Sequence, residues 1–283
     1  MPFNCRTDLA SEARELLSSD IGEARGIRAH EETLNAHRVV AVEILNGDGA
    51  ALLGKPAGKY FTLFLDRRFE RGSAHFEDAA QSVAELIRRC IGERQISSCL
   101  VAALGNPDIT PDALGSLAAG CILVTRHLKH ARVGGFEGFI SASLCRTGVL
   151  GTTGVETAAQ IRSLVRETQP QLVVAIDALA GSELGGLCRT VQICDSGIAP
   201  GSGVGNDREE LSRESIGVPV VAVGVPTVID AAALAAEQEL RGMFVTPRDI
   251  DSLVRAAGRL IGYGVNLALH PGLTVADVDM LVD

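Results

Sequence analysis

Tryptophan is missing from this sequence, and aromatic residues make up only 4% of it. That leaves no aromatic platforms of the kind on which single-stranded nucleic acid stacks. Basic charge is short as well. Lysine and arginine number 26 against 35 aspartates and glutamates, a formal net charge of −9, so the balance argues against nucleic acid as a partner. The seven cysteines are odd in number and contain no C-x-x-C pair. Most sit inside apolar runs and read as reduced, buried thiols of a cytosolic protein. Neither a G-x-S-x-G elbow nor an H-E-x-x-H pair occurs. No apolar run reaches the length of a membrane span, and the opening residues MPFNCRTDLASEAREL have no secretory apolar core. The expectation is a soluble, cytoplasmic protein with no membrane partner.

What is present is a chain of 283 residues, 46% hydrophobic, in which short apolar runs alternate with amphipathic ones. This pattern predicts one α/β domain over 1–283, a mostly parallel sheet with helices on both faces. Strands are expected at 38–45, 59–65, 100–104, 172–176, 190–194 and 218–225, with a short one at 122–124. Helices are expected at 75–91, 111–120, 153–168 and from Pro247 onward. The first has the clearest stripe: Phe76, Ala79, Ala80, Val83, Leu86, Ile87 and Cys90 recur at three- and four-residue steps. Three cap pairs suggest themselves: Thr153 with Glu156, Thr227 with Asp230, and Thr246 with Asp249. The polar stretch 20–35 reads as a mobile arm.

The stretch Leu100–Gly115, LVAALGNPDITPDALG, organises the rest. A buried-strand run ends at Gly105-Asn106-Pro107, and Thr110-Pro111 then opens a helix with Thr110 as N-cap. Asp112 falls in the first helical turn, just past the C-terminal end of a strand. Leu172–Asp177, LVVAID, is a second strand run ending in a carboxylate. Ligands of open α/β sheets bind at that crest, so two aspartates there make a candidate catalytic pair. The same residues also read as a dipole-complementing cap and a turn aspartate.

Two other constellations carry weaker signals. Pro200–Asn206, PGSGVGN, is glycine-rich, but its spacing departs from the dinucleotide fingerprint and no suitable helix follows. It reads as a tight loop beside the site. His127 and His130 stand three apart after Arg126 without the further ligands of a zinc centre, although a metal recruiting Asp112, Asp177 and one histidine stays open.

Several longer segments carry a resemblance: RTDLASEAREL (6–16), GNPDITPDALG (105–115), LVTRHL (123–128), GVLGTTGVET (148–157), LVVAIDALA (172–180), DSGIAPGSGVGN (195–206) and GVPVVAVGVPTVIDAA (217–232). On these the chain resembles the germination protease family of spore endopeptidases. The resemblance implies a fold like that of the hydrogenase maturation proteases, a homotetramer, and cleavage of small acid-soluble spore proteins in the spore core during germination. It also implies an atypical aspartic mechanism on Asp112 and Asp177. No cofactor and no metal are expected, with a metal-dependent maturation-type peptidase on the same fold as the alternative. A removable pro-segment keeps the family's zymogen silent. Only five residues precede Arg6-Thr7-Asp8-Leu9 here, so restraint is expected to lie in residues 20–35 or in the loop around Gly134–Gly138. Ala199 stands where a histidine is expected, Ser116 replaces a proline, and Gly181-Ser182 also depart from the pattern, which keeps a silent scaffold among the readings.

Environment suggests the roles. Asp112 at a helix N-terminus is biased towards the charged form and serves as base; Asp177 at a buried strand end is biased towards the neutral form and serves as acid. Gly201, Ser202 and Gly203 offer loop groups for substrate backbone or oxyanion, Asn106 supports the turn, and Arg126 with His127 supply basic groups near the cleft.

Overall fold

The computed structural model describes residues 8–11, 26–65, 74–202, 205, 208–235 and 238–282. Along them the elements are β1 (Ile27–Leu34), β2 (His37–Ile44), α1 (Gly47–Leu53), β3 (Gly58–Phe64), α2 (Ala74–Ile91), β4 (Ser98–Ala103), α3 (Leu114–Ala119), α4 (Arg126–His130) and β5 (Ser141–Arg146). Then follow α5 (Leu150–Thr153), α6 (Thr157–Thr168), β6 (Leu172–Gly181), β7 (Thr190–Cys194), α7 (Arg213–Ile216), β8 (Val220–Asp230), α8 (Ala231–Ala235), β9 (Phe244–Val245), α9 (Ile250–Leu269) and α10 (Val275–Val282).

The strands form one sheet in the order β1-β2-β3-β7-β8-β6-β4-β5, with β9 paired to β8. Strands β5, β4, β6 and β8 run parallel. Beyond them, β7, β3, β2 and β1 extend the sheet as an antiparallel arm. The class is α/β, and the parallel part carries the crest.

The two-residue period of a strand sorts the core onto both faces. Val174 and Ile176 of β6 join Val101 and Val223 against α2 and α9. Val173 and Ala175 face the other way, with Leu100, Ala102 and Leu104, against Ala158 and Ile161 of α6. The expected stripe of α2 is fully buried, and Arg88 and Arg89 in its last turn complement the helix dipole. Helix α9 crosses α2 closely: a Cβ on Gly264 would lie 2.4 Å from a methyl of Val83. No helix among the described residues is long and apolar enough to cross a membrane.

Local patterns failed where tertiary partners took over. Ile27–Leu34, expected inside a mobile arm, is the edge strand that pairs residue for residue with β2; residues 20–25 lie outside the described residues. The Gly-rich connection after β2 winds into α1 because the Asn46 side chain accepts from the Gly49 N–H. Residues 122–124 form no strand, because the Leu123 N–H donates to the Asn266 side chain instead. Thr153 and Glu156 make no capping box: Thr153 Oγ1 accepts from Val155 N–H at 3.2 Å, and Glu156 meets Arg208. Thr227 lies within β8, while Asp230 does accept from the Ala232 N–H at 2.9 Å. Asp249 holds the N-cap position of α9 without a side-chain bond into the helix.

Candidate active site

Two residues past the end of β4, Gly105 turns the chain back at φ +94. A Cβ there would lie 2.1 Å from the Asp112 carbonyl oxygen, so only glycine lets the returning chain lie this close. The return is a single 3₁₀ turn, Thr110–Asp112, ahead of α3. Thr110 is not its cap: Ile109 occupies that position and no side chain bonds into the turn. Gly115 then presses α3 onto the sheet, with its would-be Cβ 2.3 Å from the Leu104 carbonyl. Asp112 is thereby held over the end of β4, its Oδ2 accepting from the Asn106 N–H at 2.7 Å.

Asp177 is not a strand-end residue. It sits within the ten-residue β6, opposite Gly224 of β8. The strand's alternation turns it to the same face as Val173 and Ala175. There the cover of α6 ends, and the carboxyl meets a cavity instead of a helix. Asp177 is 4% exposed, and its Oδ1 accepts from the Ala178 N–H at 3.0 Å.

That cavity, of about 510 Å³, is lined by Asp112, Asp177 and Asp8 together with Gly105, Ile109, Leu150, Thr227 and Phe244, among others. Its size is that of a small-molecule or short-peptide site. Asp8 is the carboxylate that residue-by-residue reading passed over, although it lies in RTDLASEAREL. Its backbone N–H donates to the Ala180 carbonyl at 3.0 Å, and its carboxylate accepts from the Ala180 N–H at 2.8 Å and the Ser202 hydroxyl at 2.9 Å. Gln192 fixes the same segment, donating to the Asp8 carbonyl and accepting from the Ala10 N–H, each at 2.7 Å.

Electrostatics separate the two central carboxyls. Burial pushes Asp177 well above the ordinary carboxylate range, and the charges of Asp112 and Asp8 push the same way, against the pull of the Ala178 N–H. Burial raises Asp112 too, offset in part by the Asn106 N–H. The dipole argument therefore gave the wrong direction for Asp112, which precedes the helix and is half-buried. The stronger upward push falls on Asp177.

The remaining candidates are scattered. Gly201 lines the cavity, Ser202 bonds Asp8 at its rim, and Asn106 contributes its backbone to Asp112. Gly203 lies outside the described residues. Arg126 and His127 belong to α4 and are not among the lining residues; the basic group that is there, Arg208, stands 3.6 Å from Glu156. Among the described residues no group of three or more His, Cys, Asp or Glu is arranged to hold a metal. Among the described residues no disulfide is formed, and Cys90, Cys99, Cys188 and Cys194 are buried.

The model of the germination protease family matches residues 6–239. The chain belongs to the germination protease family. A germination protease of Clostridium perfringens is 34% identical over 324 residues, covering 99% of this chain and all of the relative. That of Caldanaerobacter subterraneus is 37% identical over 98% of both, and that of Bacillus pumilus 40% identical over 83% of this chain and 66% of its own. Among solved structures, a hydrogenase maturation protease from Thermococcus kodakarensis is similar at a TM-score of 0.35 and 18% identity, covering 65% of this chain and 98% of its own. Family membership gives the molecule a class of chemistry, hydrolysis of peptide bonds.

Proposed function

We propose that this chain is an endopeptidase that cleaves small acid-soluble spore proteins during germination, with Asp112 and Asp177 as its acid–base pair. The observation that carries the reading is that two carboxyls, Asp112 in the turn after β4 and Asp177 within the neighbouring parallel strand β6, line one cavity with unequal hold on their protons. Two such groups divide the labour of peptide hydrolysis. Ionised Asp112 takes a proton from water, and the hydroxide adds to the scissile carbonyl carbon. Protonated Asp177 donates to the carbonyl oxygen as negative charge develops there. The proton on Asp112 then passes to the leaving nitrogen as the C–N bond breaks, and the proton returns from the new acid to Asp177.

The apolar lining, which includes Ile109, Leu150 and Phe244, excludes water around the pair and offers surface to side chains flanking the bond. Asp8, tied to the end of β6 and to Ser202, adds to burial and the Asp112 charge in favouring the protonated form of Asp177.

The test is incubation with a purified small acid-soluble spore protein, with and without chelator, followed by mapping of the cut bond. Asp112→Asn and Asp177→Asn should each fold, by circular dichroism, and lose cleavage by about 10²–10⁴-fold, the usual worth of positioned acid–base groups. Full activity in either variant refutes the pairing, and loss in chelator restored by added divalent ion moves the chemistry to a metal.

A further inference from the structure

The two edges of the sheet are built differently. Strand β1 closes one edge with charged and polar side chains, among them Arg28, Glu31 and Glu32, the usual protection against unwanted strand pairing. Strand β5 closes the other with the sequence SASLCR, which has neither proline nor lysine. Its hydrogen bonds show which backbone groups are free. Ser141 donates to the Ser97 carbonyl at 2.8 Å and Thr147 to the Ala103 carbonyl at 3.0 Å. Odd-numbered residues of β5 therefore face β4, and Ala142, Leu144 and Arg146 turn their N–H and C=O groups outward. Ala142 is satisfied by Thr125, whose N–H donates to its carbonyl and whose hydroxyl accepts from its N–H. The outward groups of Leu144 and Arg146 are bonded to no described residue.

This open stretch leads to the cavity. The chain leaves β5 at Arg146, and Val149 and Leu150 already line the site that holds Asp112 and Asp177. Because β5 runs parallel to β4, its open end lies at the same crest. We infer that the edge of β5 at Leu144–Arg146 is the docking rail for the substrate's extended backbone, which adds as a further strand and crosses Val149–Leu150 to reach the two carboxyls. This rests on the endopeptidase reading. Strand addition supplies affinity through main-chain hydrogen bonds and leaves side chains largely unspecified. From the edge to the cavity is about two strand spacings, ~10 Å, which about three extended residues cover. The rail therefore reads a segment removed from the scissile bond, on one side of it.

The occupant is an extended polypeptide segment, so the probes are peptides taken from the mapped cut site of a spore protein. One of about eight residues fills the cavity alone; one of about twenty also reaches the rail. The wild type should cleave the longer peptide at roughly tenfold higher kcat/KM, as two to three added main-chain bonds predict. In Leu144→Pro the lost N–H is an outward one, so the β4–β5 ladder keeps its bonds and proline is tolerated on the edge. This variant should cleave the short peptide like the wild type and lose the preference for the long one. Should it fail to fold, wild-type enzyme with singly N-methylated long peptides carries the test. KM should rise about two- to tenfold at alternate residues of one flank and stay unchanged between them, since methylation blocks one bond per site. Equal rates on short and long peptides, or no alternation on either flank, overturn the rail. A Leu144→Pro variant with normal kinetics but a changed mass in solution overturns it too, and assigns the edge to a second copy of the chain. Failure of the wild type to cut the spore protein at all is the separate result that removes the endopeptidase reading.

Discussion

Gly105→Ala tests whether the tight return of the chain after β4 is what places Asp112. The new methyl meets two penalties. At φ +94 an alanine sits in left-handed backbone space, which costs about 1–2 kcal/mol. Its Cβ also lies 2.1 Å from the Asp112 carbonyl oxygen and 3.0 Å from Oδ1, so one of the two must retreat by roughly 1 Å to reach an ordinary contact. Overpacking of this kind adds about 1–3 kcal/mol. Together these lower stability by about 2–5 kcal/mol, or roughly 5–15 °C in Tm. The shift falls on the carboxylate itself, and a misplacement of about 1 Å costs on the order of 10²-fold in rate. Gly154→Ala separates the two penalties. That glycine has φ +69 but open space where its Cβ would stand, so it pays the backbone term alone. Thermal unfolding and cleavage of a spore protein are measured on both variants. Gly154→Ala should lose about 1–2 kcal/mol and keep its rate, while Gly105→Ala should lose both. A Gly105→Ala enzyme within threefold of wild type, at a temperature where it is folded, would falsify the claim that this turn sets Asp112.

Three further outcomes follow from the same geometry. The Asp177 carboxyl is held above its unfolded value, so its neutral form contributes stability that is complete at low pH and is lost as pH rises through the folded pKa. Asp177→Asn removes that dependence, and pH-resolved denaturant unfolding should find it more stable than wild type near neutrality, the gap closing as pH falls towards the ordinary carboxylate range; a gap that widens in acid contradicts the burial argument. Gln192→Ala deletes both bonds to the Asp8–Ala10 segment in a buried setting, at about 1–3 kcal/mol locally. Hydrogen exchange should show the Ala10 amide deprotected, and unchanged protection there would mean that β6 alone holds the segment. Arg208→Gln breaks a partly exposed pair with Glu156, so its Tm should move by less than the roughly 1 kcal/mol equivalent of a surface ion pair; a larger loss points to a packing role.

Much of the parallel part of the sheet was legible because its strands are short apolar runs with a turn residue after them. Strands β4 and β6 were visible on that basis as the runs 100–104 and 172–176, β7 of the antiparallel arm as 190–194, and α2 on its stripe. Ends were less legible. Strand β6 continues past Asp177 because β8 continues beside it, and β8 carries on through Pro226 and Thr227 across a register shift at Leu179/Ala180. Nothing local in VPTVID announces that partnership. The caps failed because the elements start elsewhere: the helix after Thr153 begins at Thr157 with Glu156 at its N-cap, and Ile109 holds the N-cap of the turn that contains Thr110. At the site, Asp112 and Asp177 could be paired from their positions after strand runs. Asp8 could not, since its place depends on Ala180, Gln192 and Ser202, all more than 170 positions further along the sequence. Burial at Asp112, which reversed the expected direction of its proton affinity, is likewise a property of the assembled cavity and not of the turn.

The strand order has a consequence for synthesis. β8 lies between β6 and β7, although both precede it in sequence. While the chain is still emerging from the ribosome, β6 has only one of its two neighbours, and the antiparallel arm has no link to the parallel strands. Both joins wait for Val220–Asp230. Such long-range pairings are the slow steps of folding, because the intervening loops must close before any contact rewards them. Until then the wall of the cavity formed by Thr227 and Val228 does not exist, and Asp177 stays open to water and loses its proton readily. A nascent or half-folded chain thus carries both aspartates without the surroundings that raise the proton affinity of Asp177. The topology delays proteolytic competence until nearly the whole sheet is made.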